Sequence, residues 1–209
     1  MLVGLALALW PAPALAMHIP ENGIPISWAG LWFLVAAPMV FWGLKTINRR
    51  RAAEPRYMVL VALVGSAIFV ISCMPVPIPI AKSCSHPCGT GLGAVLIGPG
   101  PTIVVASIAL LLQALLLCHG GLTTWGANIV SMGVVGALTG YVVFRVFRRI
   151  GAPVFLAAFL AGVLSDWATY ATTTFELSTD WLGDSLFWHQ FAIIGVSFVP
   201  TQLPLGIAE

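Results

Sequence analysis

The stretch Thr102–Cys118 constrains this chain more than any other, because Gln113 is its only strongly polar side chain. A helix built on it nearly matches the roughly 20 apolar residues needed to cross the hydrocarbon of a bilayer. It is not alone. Similar runs span Trp28–Ile47, Tyr57–Cys73, Ala127–Phe147, Ala152–Thr174 and Phe187 to Glu209, with a shorter apolar piece at Leu92–Ile97. In a chain of 209 residues only 8% are charged and mean hydropathy is +1.00, far too little polar surface for a soluble globule. The expected architecture is an all-α, polytopic integral membrane protein of about six to seven spans. No basic face or Gly-rich phosphate loop points to nucleic-acid or nucleotide binding.

Punctuation between the runs is specific. Ser27 is expected to cap the first helix, which ends at Arg49-Arg50-Arg51. Alternating prolines in Pro75–Pro79 forbid helix and call for an extended or bent segment. Gly98-Pro99-Gly100-Pro101 halts the Leu92–Ile97 piece, and Glu176–Asp184 reads as an acidic turn. Gly136-xxx-Gly140 and Ala158-xxx-Gly162 offer small-residue faces for close helix packing. With the N-terminus outside, eight of the nine basic residues fall in the cytoplasm and only Lys82 lies outside, the positive-inside pattern.

Residues 1–16 form an apolar run ending in small-x-small, the signature of a cleaved signal peptide, so the membrane domain is expected to be 17–209. Cleavage there would leave Met17 as the N-terminus and His18 as the second residue. The free amine, the next backbone nitrogen and the imidazole could then wrap one late first-row metal ion in fused chelate rings. The same topology brings His86, His119 and His189 to the side of His18. His86 is the strongest candidate for a fourth nitrogen, because Pro87 and nearby glycines tighten its loop. His119 and His189 could be supporting partners or bystanders. Asp166 inside a span is either functional or satisfied by Ser165, Trp167 or Tyr170. Gln113 and Asn128 read as interhelical hydrogen-bonding groups. A rival reading makes Cys84 and Cys88 a redox-active pair of a membrane thiol oxidoreductase, although a two-residue spacing is the commoner redox signature.

Four ordered blocks carry a further signal: Ala-Met-His-Ile-Pro at 16–20, Ser-Cys-Ser-His-Pro-Cys-Gly-Thr-Gly-Leu-Gly-Ala at 83–94, His-Gly-Gly-Leu-Thr-Thr-Trp-Gly-Ala-Asn at 119–128 and Thr-Gln-Leu-Pro-Leu at 201–205. Together they closely resemble the CbiM/NikM substrate-capture components of energy-coupling factor transporters for cobalt and nickel. The resemblance implies a metal site from the processed amine of Met17, the backbone nitrogen and imidazole of His18, and His86, with His119, Asn128 and Ser85 as surrounding partners. It implies Co²⁺ as cargo, with Ni²⁺ the lesser alternative, and no cofactor or ATPase of the protein's own. Implied partners are a transmembrane coupling protein, cytoplasmic ABC-type ATPases and a small accessory membrane subunit, in a bacterial inner membrane. The family's usual Gly-Phe-Leu-Pro-like block is replaced here by Glu21–Pro25, and the family's last helix continues beyond the position of Glu209.

Overall fold

The computed structural model describes residues 18–74, 76–78 and 83–209. The segment expected to be a signal peptide, and Met17 with it, lies outside the described residues. Among the described residues seven helices follow one another: α1 Ile26–Ala53, α2 Tyr57–Ser72, α3 Thr90–Ile97, α4 Pro99–Leu117, α5 Trp125–Arg149, α6 Val154–Ser178 and α7 Phe187–Ala208. Five of them are long and apolar enough to cross a membrane, and α2 is a shorter apolar helix. The surface is inverted relative to a soluble protein. Leu34, Phe155, Trp188 and Val196 are exposed, while Gln113, Asp166 and Glu176 are fully buried. Such a molecule presents its hydrocarbon to lipid and its polar groups to itself.

The expected runs hold, with shifted ends. The first helix begins at Ile26 after Pro25, and Ser27 sits in its first turn without capping it. A proline just before a helix sets the entry angle without a side-chain oxygen. Pro99 does not delay the next helix to Thr102 but opens it as the first helical residue, where its missing N–H costs nothing. Gly98 makes the break by adopting φ +88°. The expected acidic turn begins too early, since α6 continues to Ser178 and encloses Glu176 before a short 3₁₀ turn, Thr179–Trp181.

Within the proline-rich stretch the described residues, Val76–Ile78, are extended, as expected. Val76–Ile78 (β1) pairs antiparallel with Ser83–Ser85 (β2), register Val76 with Ser85. Beyond β2 the chain enters the bundle as non-helical backbone, His86 to Gly89, before α3 begins. This is tolerated within apolar surroundings because its polar groups find partners. The His86 N–H donates to Tyr170 Oη (3.0 Å), whose own hydroxyl lies 3.1 Å from the His86 carbonyl. The N–H groups of Cys88 and Gly89 donate to the Glu209 carboxylate at 2.9 and 2.6 Å. At the other end of α3, Arg50 Nη1 and Tyr57 Oη both donate to the Ile97 carbonyl, at 2.9 and 2.8 Å. A helix of eight residues is thus tied down at both ends.

Close packing around α3 depends on glycine. A Cβ on Gly140 would lie 2.5 Å from Gly91 Cα, and one on Gly136 would lie 2.6 Å from Thr90 Oγ1 and 2.7 Å from Thr169 Oγ1. Gly136-xxx-Gly140 is therefore the face on which α3 and α6 meet α5. The Ala158-xxx-Gly162 pair makes no such contact: a Cβ on Gly162 would meet only Glu209, at 3.8 Å. Within α5, residues Ile129–Gly136 are π-helical, which widens the turn beneath the histidine loops.

Candidate metal centre

Three chain segments meet at one end of the bundle: residues 18–24 ahead of α1, the buried His86 loop, and the 118–124 connection between α4 and α5. The first is pinned to the third. Ile19 N–H donates to Asn128 Oδ1 at 2.8 Å, Asn128 Nδ2 returns to the Ile19 carbonyl at 3.3 Å, and Thr124 Oγ1 donates to that same carbonyl. The Glu21 carboxylate accepts from Leu122 N–H at 2.6 Å. Gly120 has φ +91°, and a Cβ there would lie 2.8 Å from His18 Cβ, so the connection can pass under His18 only as glycine.

This scaffold brings His18, His86 and His119 together, all buried, with one ring nitrogen from each within 4.8 Å of the others. Ring centroids lie 4.9 Å apart for His18 and His86, 4.8 Å for His18 and His119, and 5.5 Å for His86 and His119. His189 is not among them: it is exposed in the first turn of α7.

Hydrogen bonds settle which nitrogens are free. Ser72 Oγ donates to the Ile68 carbonyl (2.6 Å), so it accepts from Gln113 Nε2 (2.7 Å), and Gln113 Oε1 therefore faces His18 Nε2 at 2.7 Å. An amide oxygen only accepts, which puts the proton on His18 Nε2 and leaves Nδ1 with its lone pair. Nδ1 is the nitrogen that a chelate from the backbone of the same residue reaches. In the same way His86 Nδ1 donates to the Pro87 carbonyl at 2.7 Å, and His86 Nε2 is buried without a hydrogen-bond partner. His119 Nε2 is likewise buried and unpartnered. Buried polar atoms without partners are uncommon and call for an explanation.

Electrostatics keep these rings neutral. Burial pushes His18 well below its ordinary pKa, and the neighbouring His86 and His119 push it further, against a smaller opposing effect from Gln113. Burial and then His119 lower His86 to about 3, and burial lowers His119. Neutral imidazole is the form that ligates metal.

Of the residues expected around the site, Asn128 holds the Ile19 backbone and Ser85 Oγ accepts from Gln202 Nε2 on α7, a step removed from the rings. Gln113 does bridge helices, to Ser72, and also orients His18. Asp166 faces Cys88, whose thiol lies 3.6 Å from Oδ1. The thiol pair is not favoured. Cys88 is buried, and burial together with Asp166 and Glu209 raises its pKa well above the usual thiol value, the opposite of a reactive thiolate. Sequence reasoning gave no part to Thr124, Glu21 or Glu209, whose roles depend on chain segments about a hundred residues away.

Residues 18–209 match the family model of CbiM, described as the cobalt uptake substrate-specific transmembrane region. The chain belongs to the CbiM family. Among its relatives, the "Cobalt transport protein CbiM" of Geobacter sulfurreducens is 51% identical over 201 residues, which are 96% of this chain and 58% of that protein. This CbiM-family chain therefore spans little more than half the length of that relative. The protein of the same name from Sorangium cellulosum is also 51% identical, over 92% of this chain and 86% of its own. A crystal structure of a truncated transition metal transporter superposes with a TM-score of 0.83 at 23% identity, covering 92% of both chains, so the two share a fold.

Proposed function

We propose that this protein captures Co²⁺, or less readily Ni²⁺, for import. The ligands are the processed amine of Met17, the backbone nitrogen and Nδ1 of His18, and Nε2 of His86. The observation that carries this reading is the set of hydrogen bonds that leaves His18 Nδ1 and His86 Nε2 as lone-pair nitrogens in one buried cluster. Late first-row ions prefer nitrogen donors of this kind over the oxygen sets that suit magnesium and calcium. His119 stands against the His18 ring with its buried Nε2 unpartnered, which offers a fifth nitrogen donor. Square-planar nitrogen sets suit Ni²⁺, so a fifth donor favours Co²⁺. The names of the family and of its relatives in Geobacter and Sorangium support the same cargo.

The site faces outward across the bacterial inner membrane, and the arginine-rich ends of α1 and α5 lie in the cytoplasm. The protein has no ATPase of its own in this reading. A transmembrane coupling protein, cytoplasmic ABC-type ATPases and a small accessory subunit drive release of the ion inward. N-terminal sequencing of the protein from membranes, paired with Co²⁺ calorimetry, tests the capture site. The expected result is a terminus at Met17 and a single high-affinity event that disappears when one residue is inserted between Ala16 and Met17. A mature chain that retains residues 1–16 and still binds Co²⁺ tightly overturns it.

A further inference from the structure

Cys88, Asp166 and Glu209 form a second grouping, a thiol and two carboxylates whose ligand atoms lie within 4.8 Å of one another. Cys88 and Asp166 are fully buried. Asp166 precedes Tyr170 by one turn of α6, so it lies closer to the arginine-rich end of the bundle than the hydroxyl that holds the His86 backbone. Asp166 Oδ2 is buried without a hydrogen-bond partner. Glu209 is engaged by the N–H groups of Cys88 and Gly89, while Asp166 has the thiol 3.6 Å from Oδ1 and the Glu209 carboxyl beside it, with which it can share a proton. Among the described residues, no Lys, Arg or His is a significant electrostatic neighbour of either carboxylate. A buried carboxylate in that position must hold a proton or meet a cation.

We infer that Cys88, Asp166 and Glu209 form a second cation site that takes a divalent transition ion such as Co²⁺ one helical turn further along its route than the histidines. The inference rests on the proposed reading that such an ion enters at the histidine cluster. The donor chemistry changes between the two sites, from neutral nitrogens to sulfur and oxygen with negative charge. The ion's two positive charges balance the Cys88 thiolate and one carboxylate, while the other carboxyl keeps its proton, and the proton released from the thiol goes to solvent. Three protein ligands leave coordination positions open, so the ion is held more weakly than by a full set and can move on. The one-turn offset and the shared His86–Cys88 loop make the two sites successive stations on a single path.

The test is a Co²⁺ titration of the full chain purified in detergent, followed by bound-metal stoichiometry and by the near-ultraviolet thiolate-to-cobalt charge-transfer band. Two ions per chain are expected. The band should persist in Cys73→Ser and in His86→Ala, which disables the first site, and should vanish in Cys88→Ser. Asp166→Asn should weaken the band-forming event by about tenfold or more. Cys88→Ser is nearly isosteric and keeps the test decisive should Asp166→Asn fail to fold. One bound ion with no thiolate band, or a band that survives Cys88→Ser, overturns the second site and leaves capture by the histidines standing. A chain that binds no Co²⁺ overturns both.

Discussion

The histidine cluster and the Cys88–Asp166–Glu209 trio are joined by the same short loop, yet they are built on opposite principles. Each ring of His18 and His86 has one nitrogen committed to an oxygen acceptor, so the other is presented as a neutral donor in a fixed direction. In the trio, Glu209 is spent on loop N–H groups and Asp166 Oδ2 is left over. Pre-oriented neutral donors give tight and selective binding, whereas mismatched anionic donors attract a cation without fixing its geometry. A transporter needs both qualities in sequence, firm capture and then easy departure.

That contrast can be broken most directly by removing one of the proposed capture ligands. His18→Ala or His86→Ala should lower Co²⁺ affinity by more than about 100-fold by calorimetry, beyond the range of supporting residues. Retained affinity would mean the rings merely pack. Gly120→Ala comes next, since the left-handed backbone and the close approach to His18 Cβ both oppose it. A loss of about 1–3 kcal/mol in thermal unfolding is expected, with weaker Co²⁺ binding alongside. Gln113→Leu preserves bulk but frees the His18 tautomer, and should cost about tenfold in affinity.

The pH profile of Co²⁺ binding sharpens the contrast further. A lowered imidazole pKa means the neutral, ligating form persists into acid, and for His86 down to about 3. Protons should therefore compete first at the terminal amine, whose ordinary pKa is about 8, and binding should weaken as pH falls below that value. A midpoint near the ordinary imidazole value in a chain with a blocked amine would show the rings to be solvated. The smallest effect is the most diagnostic: Asp166→Asn should leave affinity at the histidine cluster within about twofold, because the His18 and His86 rings hydrogen-bond to Gln113 and Pro87 and not to Asp166. A larger change would merge the two groupings into one site.

Much of the architecture was legible in order along the chain. Apolar runs such as Thr102–Cys118 announce helices because no other regular element satisfies its backbone within itself in lipid. The prolines of Pro75–Pro79 announced an extended segment, and Val76–Ile78 is one. Boundaries failed where a residue has two uses. Pro99 stops one helix by starting the next, and Glu176 reads as a turn residue until the fold encloses it. The histidines could be gathered on one side by topology alone, since each sits between apolar runs.

Sequence by itself determined the class of molecule and singled out His18 and His86 as candidate ligands, because periodicity and residue chemistry are local properties. Only the tertiary structure decided which ring nitrogens are free, that His119 joins His18 and His86 while His189 does not, and that Cys88 meets Asp166 and Glu209. Those outcomes turn on distances of a few ångströms between segments that lie tens to more than a hundred residues apart. Hydrogen-bond direction and packing clearance fix such distances, and neither is written in the spacing of residues along a chain.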